Sequence, residues 1–416
     1  MTPRWLRIAT VLFCALLISS ARAQDLSSSI ADTAPIGTRG NYFRAPYRIG
    51  SFRHMDRIFP YHVVYRAGPI AEIPRSDRRL GEVTYQWKGA PHGLAALLQI
   101  TKTTGLLVIK DGRIVDEQYF LGADQYSTFT SMSVAKSFTS TLVGLALADG
   151  KIRSLDDPIN DYVPELKLTG YDGVPIKAIL QMSSGVRFTE RYQPGRYSDM
   201  DLMFERGMID ETAPLDDYLK GLPRVLPMGA KFAYKGSDTQ ALGWLVRTVT
   251  GESLADYLSD KIWQPLGVER EAFWNIDMAG PRGMEAAFSC FNATLRDFGR
   301  FGLMFLNRGR ANGKQIVPAQ WVEQATTPQS AQVKSGMLGK ISRLGYGYQW
   351  WTFPYDGAFA AEGIYFQFIY VDPKENLVIV KTSAFDRPWD ASLEAQTYAA
   401  FRAIAASLRR SDLAQG

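Results

Sequence analysis

Residues 130–138 read Thr-Ser-Met-Ser-Val-Ala-Lys-Ser-Phe, and this stretch is the most informative part of the chain. Ser133 and Lys136 are three residues apart at the predicted start of a helix, where side chains with that spacing share a face. A serine hydroxyl is a weak nucleophile until a neighbouring base takes its proton. A lysine can be that base once burial and the positive helix N-terminus favour its neutral form. The backbone N–H of Ser133 at the same helix end is a candidate donor to an oxyanion.

The flanking sequence predicts a β-hairpin before this motif and a buried helix from it onward. Gly105 to Lys110 is a compact apolar run, Asp111-Gly112 is a hairpin signal, and Arg113 to Tyr119 alternates as a strand does. Apolar residues recur at helical spacing from Ser133 to Asp149, and the following Gly150 is a typical terminator. Ser-x-x-Lys alone is a weak pattern, but a hairpin before it and an apolar helix after it are the context that the motif requires.

The remaining segments extend this pattern to a whole domain. Residues from 155 to about 273 are helical and rich in loops, which predicts a helical lobe inserted at about 155–285. Near the end, residues 364–371 and 377–382 read as two strands, and residues 391–408 read as a closing helix. Strands at both ends with helices between them predict a two-lobed α+β fold, with an antiparallel sheet flanked by helices.

The first residues carry the features of a secretory signal peptide. Arg4 and Arg7 precede an apolar stretch, and Ala21-Arg22-Ala23 is a small-residue cleavage site, so residues 1–23 are predicted to be removed. The product is expected to be exported, periplasmic or secreted. An uncleaved anchor is the alternative, but the apolar stretch is shorter than the ~20 residues of a spanning helix, so no stable membrane anchor is expected. Residues 24–85 are predicted to form an N-terminal arm, and residues 86–410 are predicted to form the main domain.

The composition argues against several classes of function. The chain has 47 Lys and Arg against 42 Asp and Glu, and loss of three signal-peptide arginines leaves 44 − 42 = +2, which does not suggest a nucleic-acid partner. Only Cys290 remains after processing, so no intrachain disulfide is possible. The three histidines have no partner pattern, and no His-Glu-x-x-His helix, Gly-x-Ser-x-Gly elbow or phosphate-binding glycine loop is present. No metal site and no cofactor are predicted.

Several motifs together resemble those of a known family. Residues 130–138 followed by Ser-Leu-Asp-Asp-Pro at 154–158 resemble the serine β-lactamase and penicillin-recognising family, and the likeness is closer to class C-like esterases and 6-aminohexanoate-dimer hydrolases. Further matches are Leu-Gln-Met-Ser-Ser-Gly at 180–185, Tyr-Gly-Tyr-Gln-Trp-Trp at 346–351 and Gln-Phe-Ile-Tyr-Val-Asp-Pro at 367–373. The resemblance spans roughly residues 105–402. It implies a β-lactamase-like fold and a serine hydrolase that forms an acyl-enzyme.

The second motif of this family is a tyrosine followed two residues later by Asn or Ser, and it falls on Tyr234-Lys235-Gly236. The resemblance implies that Tyr234, with Lys136, activates Ser133 and exchanges protons with the leaving group, a task that suits a phenol whose pKa nearby cations lower. Gly236 departs from the motif, and Ser237 is a candidate to replace the missing side chain.

The third motif falls on Ala361-Glu362-Gly363, on a strand expected to line the site. By resemblance, the N–H of Ile364 is the second oxyanion donor beside that of Ser133, and Gly363 lets the substrate approach the strand. Glu362 is an acid at this substrate-binding position, and Phe366 stands where relatives often have glycine. Either departure is expected to narrow the substrate pocket or to change which substrates it prefers.

Two further sets of residues are weaker candidates. Tyr192 lies with Glu190 in a loop that approaches the substrate in the dimer hydrolases, so the resemblance implies a substrate contact; a solvated loop is the alternative. Trp350 and Trp351 are candidates for stacking on a ligand, although core packing is the default for tryptophan.

The substrate class stays open between amides, esters and lactams, because one fold and one set of catalytic residues serve all three. The third motif lacks the lysine that helps to hold a substrate carboxylate, which argues against a strong β-lactamase. The leading prediction is therefore an amide or ester hydrolase with weak β-lactam turnover at best. The alternatives are a true β-lactamase or D-alanyl peptidase, and a penicillin-binding or peptidoglycan-sensing protein with little turnover. The oligomeric state is not predicted.

Overall fold

A computed structural model of the chain describes residues 33–192, 197–338, 343–354 and 357–413. The predicted signal peptide and the first residues of the arm lie outside these ranges. The helices are α1 Arg48–Ser51, α2 Leu94–Ile100, α3 Ala135–Ala148, α4 Ile176–Leu180, α5 Asp199–Phe204, α6 Leu215–Lys220, α7 Gly236–Thr250, α8 Leu254–Leu258, α9 Gln264–Leu266, α10 Leu295–Leu306, α11 Ala319–Ala325 and α12 Ala391–Leu413. Within the described ranges, none of the helices combines the length and the hydrophobicity of a membrane-spanning segment.

Fifteen short strands complete the described fold: β1 Tyr61–Val64, β2 Thr84–Trp87, β3 Ala90–Gly93, β4 Thr103–Lys110, β5 Arg113–Tyr119, β6 Thr128–Thr130, β7 Ala272–Asn275, β8 Phe291–Thr294, β9 Arg310–Ala311, β10 Lys314–Gln315, β11 Gly345–Tyr346, β12 Trp351–Thr352, β13 Phe359–Gly363, β14 Gln367–Asp372 and β15 Leu377–Ser383. Seven of them form an antiparallel sheet in the order β11-β12-β13-β14-β15-β4-β5. The α+β fold class predicted from the sequence is confirmed.

The main sheet is apolar on both faces, and its strands divide their side chains between two cores with the period of two that a pleated strand imposes. Along β4, Leu107 and Ile109 join the core shared with α10, whereas Leu106 and Val108 join the core shared with α2 and α12. The helices therefore cover the sheet from both sides, as predicted. The predicted hairpin is confirmed as β4 and β5, and the closing helix is confirmed as α12.

The smaller sheet has the strand order β1-β7-β8-β6 and includes part of the predicted N-terminal arm. Strand β1 pairs antiparallel with β7, and Met55 and Phe59 just before it are buried in the core that also holds α3. All the secondary-structure elements described between Ile159 and Leu266 are helices, and the next strand, β7, begins at Ala272.

Helix α3 brings the Ser-x-x-Lys motif to the junction between this sheet, the main sheet and the helical region. A short 3₁₀ turn, Met132–Val134, leads into α3, and every residue of α3 from Ala135 to Ala146 is buried. The predicted strand at 364–371 begins later than expected, at Gln367, because Tyr365 and Phe366 have φ of 63° and 70° and form a turn. This turn separates β13 from β14 beside the start of α3.

Candidate active site

The Ser133 hydroxyl and the Lys136 amine are in direct contact. The Nζ atom of Lys136 donates to Ser133 Oγ at 2.9 Å and to the carbonyl oxygen of Phe288 at 3.1 Å. Lys136 is 1% exposed, and burial lowers the pKa of its amine to about 8, although the negative charge of Glu190 opposes this. At this pKa the amine can accept a proton from Ser133 near neutral pH.

Met132, just before the serine, has a φ of 45°, a conformation that costs energy for a non-glycine residue.

Tyr234 lies above the same amine. Its ring centroid is 4.8 Å from Lys136 Nζ, its hydroxyl is hydrogen-bonded with Ser133, and its ring stacks on Trp351 with centroids 5.6 Å apart. The expectation that cations lower the pKa of this phenol is wrong in direction. Burial raises the pKa of Tyr234 well above its usual value, and the carboxylate of Glu190 raises it further. The protonated form of the phenol is therefore favoured.

Gly236 leaves a space that a methionine fills. A Cβ atom built on Gly236 would lie 2.2 Å from Met200 Cε, so a side chain of the family motif does not fit without displacing that methionine. Ser237 does not replace it, because its side chain is fully buried within α7 and is not among the residues lining the cavities beside Ser133. The Gly236 N–H instead donates to Glu190 Oε2 at 2.5 Å.

The loop that carries Glu190 and Tyr192 lies beside Ser133. The Tyr192 hydroxyl donates to Glu190 Oε1, and both residues line the cavities on either side of Ser133. Glu190 influences the pKa of both Lys136 and Tyr234, so its charge acts on the two groups that would move protons. Glu190 and Tyr192 are partly buried, whereas Arg191 between them is exposed.

The proposed oxyanion donors are held together by a glycine contact. A Cβ atom on Gly363 would lie 2.6 Å from the Ser131 carbonyl oxygen and 3.0 Å from the Ser133 nitrogen, so only glycine allows β13 to approach the 3₁₀ turn this closely. The Ser133 N–H lies in the first turn of that segment, where helical N–H groups have no intrahelical partner. Ile364 follows Gly363 directly, which brings its N–H to the same region.

Two cavities meet at Ser133. One, of about 460 Å³, is bounded by Tyr234, Trp351, Trp389 and the acids Glu362 and Glu394. The other, of about 700 Å³, is bounded mainly by apolar side chains from several elements, namely Phe43, Met132, Met200, Phe204, Ile209 and Phe288. Ile364, Tyr192 and Glu190 line both. A substrate with its scissile bond at Ser133 has room on both sides of that bond.

The two tryptophans of residues 346–351 have different environments. Trp350 is fully buried and packs on Phe301, Phe305 and Phe359, which is the core role expected by default. Trp351 instead stacks on Tyr234 and lines the smaller cavity, so it does not have the core-packing role expected of tryptophan by default.

Glu394 was not among the sequence-based candidates, since nothing local marks a residue in the first turn of α12 as part of a site.

No group of three or more His, Cys, Asp or Glu in the part of the chain that the structure describes is arranged to hold a metal ion. Of the histidines, His62 is held by the buried Glu285, with 2.7 Å between Nδ1 and Oε1. Neither residue lines a cavity at Ser133.

Comparison with known proteins places this geometry among relatives. The family model described as Beta-lactamase matches residues 95–402. The 6-aminohexanoate-dimer hydrolase of Paenarthrobacter ureafaciens is 28% identical over 364 residues, which cover 84% of this chain and 89% of that protein. Penicillin-binding protein 4 of Amycolatopsis lactamdurans is 25% identical over 292 residues, 61% of this chain and 71% of that one. The solved structure named "Putative 6-aminohexanoate-dimer hydrolase from Bacillus anthracis" has 29% identity and a TM-score of 0.78, and covers 90% of this chain and 97% of its own.

Proposed function

The chain belongs to the Beta-lactamase family and is a serine hydrolase, and from that premise we propose that it cleaves linear amide or ester bonds through an acyl-enzyme on Ser133. The observation that carries this proposal is the 2.9 Å contact between a buried lysine amine and the serine hydroxyl at a point where two cavities meet. The relative from Paenarthrobacter ureafaciens, a hydrolase of 6-aminohexanoate dimer by name, supports an amide as the natural bond.

In the acylation step, Lys136 takes the Ser133 proton as Oγ attacks the substrate carbonyl carbon. The negative charge that develops on the carbonyl oxygen is stabilised by the N–H groups of Ser133 and Ile364. The protonated phenol of Tyr234 donates its proton to the leaving nitrogen or oxygen as the bond to carbon breaks, and Lys136 returns the serine proton to the phenolate. The net change is transfer of one proton from Ser133 to the leaving group.

Deacylation repeats these steps with water in place of the leaving group. Water attacks the ester carbonyl, gives up its proton through Tyr234 and Lys136, and Ser133 regains a proton as the acid product departs. Tyr234 transfers protons in both half-reactions, so its hydroxyl is needed twice in each turnover.

A substrate panel tests the proposed reaction. We expect steady turnover of p-nitrophenyl hexanoate and of a linear 6-aminohexanoate dimer, and much slower hydrolysis of a cephalosporin, because Ala361 stands where a lysine would hold the β-lactam carboxylate. Rates are measured with each substrate at equal enzyme concentration. Rapid cephalosporin hydrolysis would favour a true β-lactamase, and stable acylation without release would favour a penicillin-binding protein.

Tyr234→Phe is expected to lower kcat/KM for amides by about 10² to 10⁴-fold, the range for loss of a general acid. The ring and its stacking on Trp351 remain, so the effect reports on the hydroxyl. Esters of p-nitrophenol should lose less in acylation, because that leaving group departs without a proton. Tyr348→Phe is the matched control, since Tyr348 packs on Trp321 and lines neither cavity. Equal rates for wild type and Tyr234→Phe on the amide would remove Tyr234 from the mechanism.

A further inference from the structure

Two carboxyl groups face each other in the wall of the smaller cavity. The alternation of β13 places Ala361 in the core under α10 and turns Glu362 to the opposite face of the sheet, the face that α12 covers. There the Glu362 side chain lies beside that of Glu394 in the first turn of α12, and both line the same cavity. Two ionised carboxylates that share a site repel each other, which favours the protonated form of at least one of them.

The pair has no cationic partner. Neither glutamate forms an ion pair with Lys or Arg within the described ranges, and the Trp389 side chain lines the cavity beside them. Oε1 of Glu362 is buried, and no amide, hydroxyl or cationic donor among the described residues reaches it. Burial and the neighbouring acid raise the pKa of Glu362 well above its usual value, and burial likewise raises that of Glu394. The cavity wall thus carries acceptor capacity that the protein itself leaves unused.

The surroundings of the pair favour a cation. Both glutamates line the cavity that also contains Ser133, and the rings of Phe366, Phe368 and Trp389 line it beside them. Aromatic faces attract ammonium groups, and the remaining charged residues in the lining are Glu190 and the exposed Lys231. An apolar chain ending in an amine matches both the aromatic walls and the acidic pair.

We propose that Glu362 and Glu394 form a subsite for a basic amine, and that they make the enzyme selective for substrates whose chain ends in an ammonium group within this cavity. This inference rests on the proposed function and specifies its substrate class. When the ammonium binds, the proton held by the pair leaves to solvent and the amine donates hydrogen bonds to the two carboxylates.

Matched esters test the preference. We compare p-nitrophenyl 6-aminohexanoate, p-nitrophenyl hexanoate and the mono-p-nitrophenyl ester of adipate, which place an ammonium, a methyl or a carboxylate at similar distances from the carbonyl. The acetate esters of 6-aminohexan-1-ol and hexan-1-ol repeat the comparison on the leaving-group side. Wild type is expected to prefer the amine-ended ester of at least one series by about ten- to a hundredfold in kcat/KM, the range for a charge-assisted hydrogen bond.

Glu362→Gln and Glu394→Gln should each reduce this preference, measured as the ratio of kcat/KM for the amine-ended ester to that for the neutral ester, and the double variant should abolish it. Glu323→Gln, an exposed change on α11, is the matched control and should keep the full preference. Faster turnover of the neutral or the carboxylate-ended ester by wild type would overturn the inference, as would an amine preference that survives in the double variant.

Binding of hexylamine, measured by calorimetry, separates this inference from the proposed function. Wild type should bind hexylamine at least tenfold more tightly than hexan-1-ol, and the double variant should bind both equally, whether or not any ester is turned over. Absence of ester turnover would refute the proposed function alone. Equal binding of the amine and the alcohol by wild type would refute the amine subsite.

Discussion

Replacement of Ser133 by alanine is expected to lower kcat/KM for every amide and ester substrate by about 10⁴-fold or more, because removal of a catalytic nucleophile leaves only binding and oxyanion stabilisation. The change deletes one oxygen atom at the point where the two cavities meet. The fold should be unaffected, since the hydroxyl contacts the amine of Lys136 and the phenol of Tyr234 and supports no backbone segment.

Ser137→Ala is the matched control for this loss. Ser137 lies in the first turn of α3, is also buried, and donates to the carbonyl oxygen of Gln349 at 2.7 Å. Its removal should cost about 1 kcal/mol of stability, as for one buried hydrogen bond, with turnover nearly unchanged. Steady-state rates and thermal unfolding of both variants are the measurements. A Ser133→Ala protein with more than a hundredth of wild-type activity would exclude Ser133 as the nucleophile.

The second large effect concerns Lys136 and pH. In the proposed mechanism the neutral amine is the active base. Burial lowers its pKa to about 8, so kcat/KM should rise as pH increases through about 8 and level off above it. Below that pH the fraction of neutral lysine falls tenfold per pH unit, and the rate should follow. The measurement is kcat/KM for p-nitrophenyl hexanoate across the pH range, corrected for spontaneous hydrolysis.

Lys136→Arg separates two contributions of the lysine, its positive charge and its ability to accept a proton. A guanidinium keeps the charge and can donate to Ser133, but it does not lose its proton in this pH range. The value of kcat/KM should fall by about 10³-fold or more at every pH. The rise of kcat/KM near pH 8, the acidic limb of the pH profile, should disappear. An arginine variant that retains the wild-type limb would mean that another group is the base.

Much of the fold could be predicted because its signals are local. The hairpin of β4 and β5 depends on the Asp111-Gly112 turn and on two adjacent strands. The contact between Ser133 and Lys136 depends on helical spacing alone, and the resemblance of longer motifs supplied Tyr234 and Gly363. In each of these cases either neighbours in the chain or a family pattern carried the information.

The parts that were not predicted depend on contacts between distant segments. Glu394 meets Glu362 only because α12 packs on one face of the main sheet, and no local pattern reveals which residue of that helix faces β13. The pKa of Tyr234 was expected to fall because of nearby cations, whereas burial and Glu190 raise it. Burial of a phenol depends on the whole fold around it, which spacing along the chain does not show.

The measurement that tests the central claim most directly is intact-mass analysis of wild type and Ser133→Ala after exposure to a fluorophosphonate probe, which labels activated serine nucleophiles. The account predicts one adduct on wild type, located on Ser133 by peptide mapping, and none on the variant. An adduct on another serine, equal labelling of the two proteins, or no labelling of a wild-type enzyme that turns over esters would contradict it.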